Sequence, residues 1–303
     1  MYKVRELQAF DAYMRLGSVK LAADEIAAGQ PMVSRMLQSL EGNIGFTLFV
    51  RKRNKLVPTS EAFRFHQMVS QHLSGLRMLE QEAIAIANGQ VGHLTIAAQP
   101  IFCDTFLLDA LSQFRATNPD VSVKIIDVGM AEMLHMISAR SCDMAFGITL
   151  NPEAFGGATL PLAHCEARCI LPKGHPLGEA GDIPLPRLRR ERFVDLAEGS
   201  PLRHRIDNMM ETINVQRDIV TELRTLHGVV KLVERGLGVA IVDPVALQLV
   251  DATKATAHRL IPPITWEIAQ FTPQDRPLSG IGEAFSDVVS REIDKLKARG
   301  LVS

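Results

Sequence analysis

Along the first sixty residues, apolar positions recur at helical spacing in three successive blocks. Val4, Leu7, Phe10 and Met14 form one stripe, which Gly17 ends; Val19, Ala22, Ala23 and Ile26 form a second, and Val33, Met36, Leu37 and Leu40 a third. Between the last two blocks, Ala27-Ala28-Gly29-Gln30-Pro31 breaks the pattern. Gly29 is expected to take the unusual backbone conformation of that turn, and Pro31 fits the first turn of a new helix, where its missing N–H costs nothing. The spacing predicts a helix over Val4 to Leu16, then a helix, tight turn and second helix from Ser18 to Leu40. Glu41 to Phe49 is expected to be a short turn and the start of a hairpin wing. With Thr59 or Ser60 as N-cap, a further helix is predicted from Glu61 to about Asn88. Its stripe is Phe63, Val69, Leu73, Leu76, Leu79, Ala83 and Ile86. Such a helix is ~40 Å long and too exposed to stand without a partner.

Beyond a hinge at Asn88 to Gly92, strand and helix patterns alternate as in an open α/β fold. Strands are expected at His93–Ala98, Val121–Val128 and Met144–Ile148, with helices at Asp104–Phe114 and Ala131–Ala139. A second lobe begins near Leu160, with strands at Glu166–Leu171, Phe193–Leu196, Ile219–Leu223 and Gly238–Val242 and helices at Leu202–Ile213 and Gly228–Glu234. The chain returns through Trp266 to Phe271 and ends in a helix from Ile281 to Lys297 that closes the first lobe. The expected units are a head at 1–58, a linker helix at 59–88 and an α/β unit at 89–303, with lobe I at about 93–160 and 267–303 and lobe II at about 161–266.

Charge sharpens this division. The chain carries a net charge of −1, but residues 1–58 hold nine basic and five acidic side chains, a net of +4 that leaves −5 for the rest. A basic head on an acidic body suits a nucleic-acid reader with a separate sensing module. On the second helix of the pair, Gln30, Ser34, Arg35 and Gln38 share the face opposite the apolar stripe and are of the types that hydrogen-bond base edges and phosphates. The run Arg51-Lys52-Arg53-Asn54-Lys55 places cations where a wing meets a duplex backbone, with Asn54 at the hairpin tip. No segment approaches a membrane span and no apolar signal core follows Met1, so a cytoplasmic protein with no membrane association is expected.

Ser18, Ala22-Ala23, Ile26, Gln30-Pro31, Val33-Ser34, Leu40-Glu41, Gly45, Leu48-Phe49 and Arg51 together resemble the N-terminal signature of the LysR-type transcriptional regulators. One position departs from it: the family usually places Ser or Thr before the Gln, where this chain has Gly29, itself an acceptable helix N-cap. Gly236-Leu237-Gly238-Val239-Ala240-Ile241 and Leu171-Pro172-Lys173-Gly174-His175-Pro176-Leu177 are similar to recurrent stretches of the family's effector domain, so the resemblance spans essentially the whole chain. It implies an α+β multidomain protein: a winged helix-turn-helix, a long linker helix that pairs antiparallel in a dimer, and a two-lobed, periplasmic-binding-protein-like effector domain. The implied partners are double-stranded DNA with an interrupted dyad, a small-molecule effector and a second copy in a homodimer or homotetramer, with RNA polymerase as a further partner. No cofactor is implied. The candidate DNA-binding residues are Ser18, Gln30, Pro31, Ser34, Arg35, Gln38, Arg51, Arg53 and Lys55.

For an effector, strand ends and helix N-termini lining the crevice between lobes are the expected location, because free backbone N–H groups there favour anions. The candidates are Pro100, Ile101, Phe102, Thr149, Gly199, Ser200, Thr225 and Asp243. Ser200 and Thr225 are expected to donate hydroxyls to a carboxylate and Asp243 to face an amine; the competing reading is helix capping for the first two and a structural turn for Asp243. The Pro58-Thr59-x-Glu61-Ala62 junction and Val242-Asp243-Pro244 resemble the branch of diaminopimelate- and opine-responsive regulators, which implies an amino-acid-like or other small carboxylate effector. Two rivals remain. No His-x-x-x-His, Gly-x-Ser-x-Gly or phosphate loop supports an enzyme or a metal site. Cys165 and Cys169, four apart on one expected strand, raise a thiol-based redox sensor on the same scaffold, against the commoner reading of buried apolar thiols.

Overall fold

The structure, a computed structural model, describes residues 2–52, 55–87, 92–149, 157–274 and 277–303. It divides into two units, the head with its long helix and the α/β unit.

In the head, α1 (Val4–Leu16), α2 (Val19–Glu25) and α3 (Gln30–Ile44) precede a hairpin of β1 (Phe49–Lys52) and β2 (Lys55–Pro58) and the long α4 (Ser60–Ala87). The apolar stripes meet as predicted: Leu7, Phe10, Ala22, Ala23, Val33, Leu37 and Leu40 are buried in one core with Phe49. The Tyr13 hydroxyl donates to the Leu56 carbonyl at 2.8 Å and its ring stands edge-on to Phe49, which fastens the hairpin to α1.

Three local expectations are corrected. The left-handed residue of the α2–α3 turn is Ala27, at φ 50°, not Gly29, which is the extended N-cap of α3. The turn is a Schellman cap: the Ala28 N–H donates to the Ala23 carbonyl and the Ala27 N–H to the Asp24 carbonyl. Second, α3 continues past Leu40 to Ile44, where Gly45 at φ 79° stops it. The Glu41 carboxylate accepts the N–H groups of Leu48 and Phe49 and so ties the helix to the start of β1. Third, although Thr59 caps α4 as one of the two expected residues, accepting the Ala62 N–H at 3.1 Å, the face packed on the head is not the whole predicted stripe but Ala62, Val69 and Leu73, flanked by Phe65 and Leu76. Phe63, Met68, Leu79 and Ile84 are exposed. Periodicity finds an apolar face but cannot divide it between two neighbours. The side chain of Ile86 and the hinge at 88–91 lie outside the described residues.

The α/β unit holds two sheets. Its elements are β3 (Gly92–Ala98), α5 (Pro100–Cys103), α6 (Phe106–Thr117), β4 (Val121–Asp127), α7 (Met130–Ser138), β5 (Met144–Thr149), β6 (Gly157–Glu166), β7 (Arg168–Pro172), β8 (Ile183–Pro184), β9 (Arg192–Leu196), α8 (Pro201–Thr212), β10 (Asp218–Leu223), α9 (Leu226–Val233), β11 (Ala240–Val242), β12 (Ala255–Ile261), β13 (Thr265–Pro273) and α10 (Gly280–Ala298). Lobe I is the sheet β4-β3-β5-β13-β6, parallel where β3 meets β4 and β5 and antiparallel where β13 meets β5 and β6. The last helix closes this lobe as expected, with Phe285 against Phe114 at 5.3 Å between ring centroids. Lobe II joins β11-β7-β12-β8 to the parallel pair β10-β9 through a bridge between Phe193 and Val239.

The lobe boundary moves. Strand β6 pairs with β13 from Gly157 to Glu166 and belongs to lobe I, so the chain crosses at Ala167 and returns at Ile264, where the Ala167 N–H donates to the Ile264 carbonyl at 2.8 Å. Cys165 and Cys169 consequently lie on different strands of different sheets. Strands β6, β8 and β12 are additional to those expected; the helix predicted at Asp104–Phe114 is α6, and the short α5 before it was not expected. Among the described residues no helix is long and apolar enough to cross a membrane.

Candidate functional site

Two surfaces carry the candidate residues. On α3, Gln30, Pro31, Arg35 and Gln38 are exposed and Ser34 is half-buried. Among the described residues none of these side chains has an intramolecular hydrogen bond or ion pair, while Val33, Leu37 and Leu40 on the opposite face are buried. The helix is also pinned from behind by Glu6 of α1, which accepts the Ser39 hydroxyl at 2.7 Å, the Asn43 amide at 3.4 Å and the Lys3 N–H at 2.9 Å. An exposed row of hydrogen-bonding side chains on a firmly seated helix has the geometry of a base-reading surface. Ser18 is the N-cap of α2, accepting the Leu21 N–H at 3.5 Å. Met32, on α3 itself and half exposed, was not singled out by spacing, since an apolar residue on a polar face is commonplace. Lys52 pairs with Lys55 at the end of the hairpin; Arg53 and Asn54, and the side chains of Arg51 and Lys55, lie outside the described residues.

Within the head, Asp11 joins α1 to α4. Its carboxylate, nearly inaccessible, accepts from Ser70 Oγ at 2.7 Å and Arg15 Nε at 3.0 Å and lies 2.9 Å from His66 Nε2. Burial alone would raise this carboxyl, but the hydrogen bonds from His66 and Ser70 and the charge of Arg15 outweigh it and hold it well below the ordinary carboxylate range.

The second surface lies between the lobes. Gln99 follows β3 as the N-cap of α5, and its side-chain oxygen accepts the Ile148 N–H at 3.0 Å, which locks the ends of β3 and β5 together. Pro100 is half-buried at the start of α5, whereas Ile101 and Phe102 point into the core, Phe102 against Phe106 at 5.3 Å. These two are packing residues that hold α5. The helix meets α9 and the 3-10 turn at Pro244–Leu249 across the crevice, and Asp104 Oδ2 comes within 4.0 Å of His227 Nδ1 there. Thr149 is 3% exposed, and its hydroxyl has no hydrogen-bond partner among the described residues. A buried polar atom of this kind is normally hydrogen-bonded, so its partner lies beyond the described residues.

On the lobe II side, Ser200 caps α8 through the Arg203 N–H at 3.5 Å and Thr225 caps α9 through the Gly228 N–H at 3.4 Å, so the capping reading describes both. Both bonds are long and use the oxygen as acceptor, leaving the hydroxyl proton to donate. Gly199, at φ 89°, turns the loop that delivers Ser200. Sequence reasoning missed what holds this loop. Arg203 donates to the Leu196 carbonyl and to Glu222, each at 2.7 Å, and to Asp207 at 2.9 Å, while Arg217 pairs with Asp195 and Asp207. Burial raises the Asp195 carboxyl despite the two guanidinium groups. Asp243 is not open to the crevice: it is 1% exposed with both oxygens occupied, by the Val245 N–H and by Trp266 Nε1.

Cys142, Cys165 and Cys169 are buried and Cys103 is half-buried. Burial pushes Cys103 and Cys142 up to about 12 and raises Cys165 and Cys169 further, so none has the low-pKa, accessible character that redox-sensing thiols use.

The two surfaces coincide with two family models. Residues 4–62 match the bacterial regulatory helix-turn-helix protein, lysR family, and residues 87–294 match the LysR substrate binding domain. Regulatory protein NocR of Agrobacterium fabrum is 30% identical over 298 residues, covering 98% of each chain. The transcriptional activator protein LysR of Escherichia coli is 29% identical over 293 residues, 97% of this chain and 94% of that one. The fold is also that of full-length CbnR in complex with its target DNA, with a TM-score of 0.64 at 18% identity over 96% of this chain and 99% of that one. The chain therefore belongs to the LysR family: it is a DNA-binding transcriptional regulator, not an enzyme, with a helix-turn-helix head and a two-lobed effector-binding domain.

Proposed function

We propose that this regulator reads an interrupted dyad operator as a dimer, with Gln30, Ser34, Arg35 and Gln38 in the major groove and the wing cations on the backbone, and that an amino-acid-like or small carboxylate effector modulates it. The observation that carries the DNA half is the exposed, uncommitted row on α3 above a buried apolar face. Met32 beside that row suits contact with a thymine methyl. The exposed Phe63, Met68, Leu79 and Ile84 on α4 support pairing with a second copy, which supplies the second reading head. RNA polymerase in the cytoplasm is the further partner such an activity needs.

The effector half rests on the buried Thr149 hydroxyl, which has no partner among the described residues, together with the Ser200 and Thr225 hydroxyls at the starts of α8 and α9. Donors of this kind fit a carboxylate, and Asp104 at the lip fits an ammonium group.

The test is binding to DNA upstream of the protein's own gene at controlled salt, against unrelated duplex. Arg35→Ala is expected to weaken specific binding by about 1–3 kcal/mol and to change non-specific binding little. Unaltered affinity for the selected site would remove Arg35 from the reading surface. Amino acids and small carboxylates are then screened for a shift of the footprint.

A further inference from the structure

Asp243 follows β11 at the place where lobe II meets the strands that pass between the lobes. Its Oδ1 accepts the Val245 N–H at 2.8 Å, a bond that stays within lobe II and caps the turn at Pro244–Leu249. Its Oδ2 leaves the lobe and accepts Trp266 Nε1–H at 3.0 Å. Trp266 belongs to β13, opposite Cys165 of β6, and thus to the lobe I sheet; two residues earlier Ile264 is clipped to Ala167 at the crossing. One carboxylate is therefore fastened to both sides of the crossing.

Capping a surface turn needs only a Ser, Asn or exposed Asp. Here the cap is a carboxylate 1% exposed, with no ion pair among the described residues, an arrangement that opposes its own ionisation. Burial pushes Asp243 up to about 6, and the hydrogen bonds from Val245 and Trp266 offset this only in part. The titratable neighbour from β6 is the Cys165 thiol. From β7, Arg168 also acts on that thiol, but its guanidinium is engaged by the Glu166 and Ala167 carbonyls and the Glu166 carboxylate. From α5 and α9, which pack on the capped turn, the charged groups are Asp104, His227 and Lys231, the last bonded to Glu234 and the Leu249 carbonyl.

We infer that the Asp243–Trp266 hydrogen bond is the latch of the interlobe hinge, making Asp243 a positioning residue that holds lobe II against the crossing strand and sets the angle between the lobes. Loss of the indole donor, or neutralisation of the carboxylate, releases lobe II to turn about the Ala167–Ile264 clip. The inference concerns the hinge and is independent of which effector, if any, the crevice binds.

The experiment measures the distance between nitroxide labels on the full-length protein at Asp109→Cys on α6 and Asn208→Cys on α8, both exposed, in a Cys103→Ser background where the other native thiols are buried. At pH 7.5 the parent is expected to show one distance population. Trp266→Phe and Asp243→Asn should each add a second population displaced by more than the width of the first. Lowering the parent to pH 5 should produce the same second population, and Asp243→Asn should show no further response to pH. A residue with a purely structural role lowers the melting temperature without moving the labels, so an unchanged distribution in folded Trp266→Phe overturns the latch. A pH response that persists in Asp243→Asn overturns the assignment to this carboxylate. Should Asp243→Asn fail to fold, Trp266→Phe and the parent's own pH series still decide.

Discussion

Ala27 and Asp11 show how single positions in the head carry opposite kinds of stress. Ala27 sits in the left-handed region to complete the Schellman cap between α2 and α3, a conformation that costs a residue with a Cβ on the order of 1–2 kcal/mol. Ala27→Gly removes that cost and gives back part of it by loosening the unfolded chain, so a net gain of about 0.5 kcal/mol in the unfolding transition of the head is expected, read by urea titration. Asp11 is relieved rather than strained. Its carboxyl is lowered in the folded head, so its stabilisation is present above the ordinary carboxylate pKa near 4 and fades as pH falls through and below that value. Asp11→Asn is expected to lose about 1–3 kcal/mol at pH 7, nearly as much at about pH 3.5, and progressively less only as pH falls well below that; a loss that stays constant down to the acid transition would assign the effect to packing. Asp243 has the other sign. Raised to about 6, it lowers stability as pH rises from about 4 through 6, and comparison with Asp243→Asn across that window isolates it.

Among the elements, those whose ends are set locally were legible in the sequence. The stripe of α1 and its Gly17 stop, the Pro31 start of α3 and the spans of α8 and α10 follow from spacing and caps within a few residues. Elements defined by distant pairing were not. Strand β6 is assigned to lobe I by its ladder with β13, about a hundred residues away in sequence, and β12 carries His258 and Arg259 in a pattern too polar to announce a strand. The candidate site divides the same way. Ser200 and Thr225 were found because caps are local, whereas the Arg203 network, the Trp266 partner of Asp243 and the inward turn of Ile101 and Phe102 depend on chain brought from elsewhere. Helix α4 falls between the two cases: its apolar content was legible, but only the fold shows that Ala62, Val69 and Leu73 go to the head while Phe63, Met68, Leu79 and Ile84 stay open. Replacing Leu79 and Ile84 together with Gln is expected to shift a dimer toward monomer in sedimentation at micromolar concentration while leaving the helical circular dichroism of the head intact. An unchanged oligomer would place the dimer contact elsewhere.

For the molecule as a whole, sensing and reading reside in separate units of opposite net charge, and what links them is the question that function poses. The chain supplies its own means of answering. Trp266 is the one tryptophan among 303 residues, buried in the hinge beside a carboxylate, so the indole emission of the entire protein originates from a single place. The reading head contributes no indole light at all. Operator DNA added to the protein therefore alters that emission only if occupation of α3 is communicated to the hinge, and a flat titration with retained binding means that the head acts on its own. By thermodynamic reciprocity, a DNA-induced change in the spectrum implies that lobe angle in turn alters operator affinity. Coupling between the two units becomes an optical quantity, measurable in one cuvette before the effector has been identified.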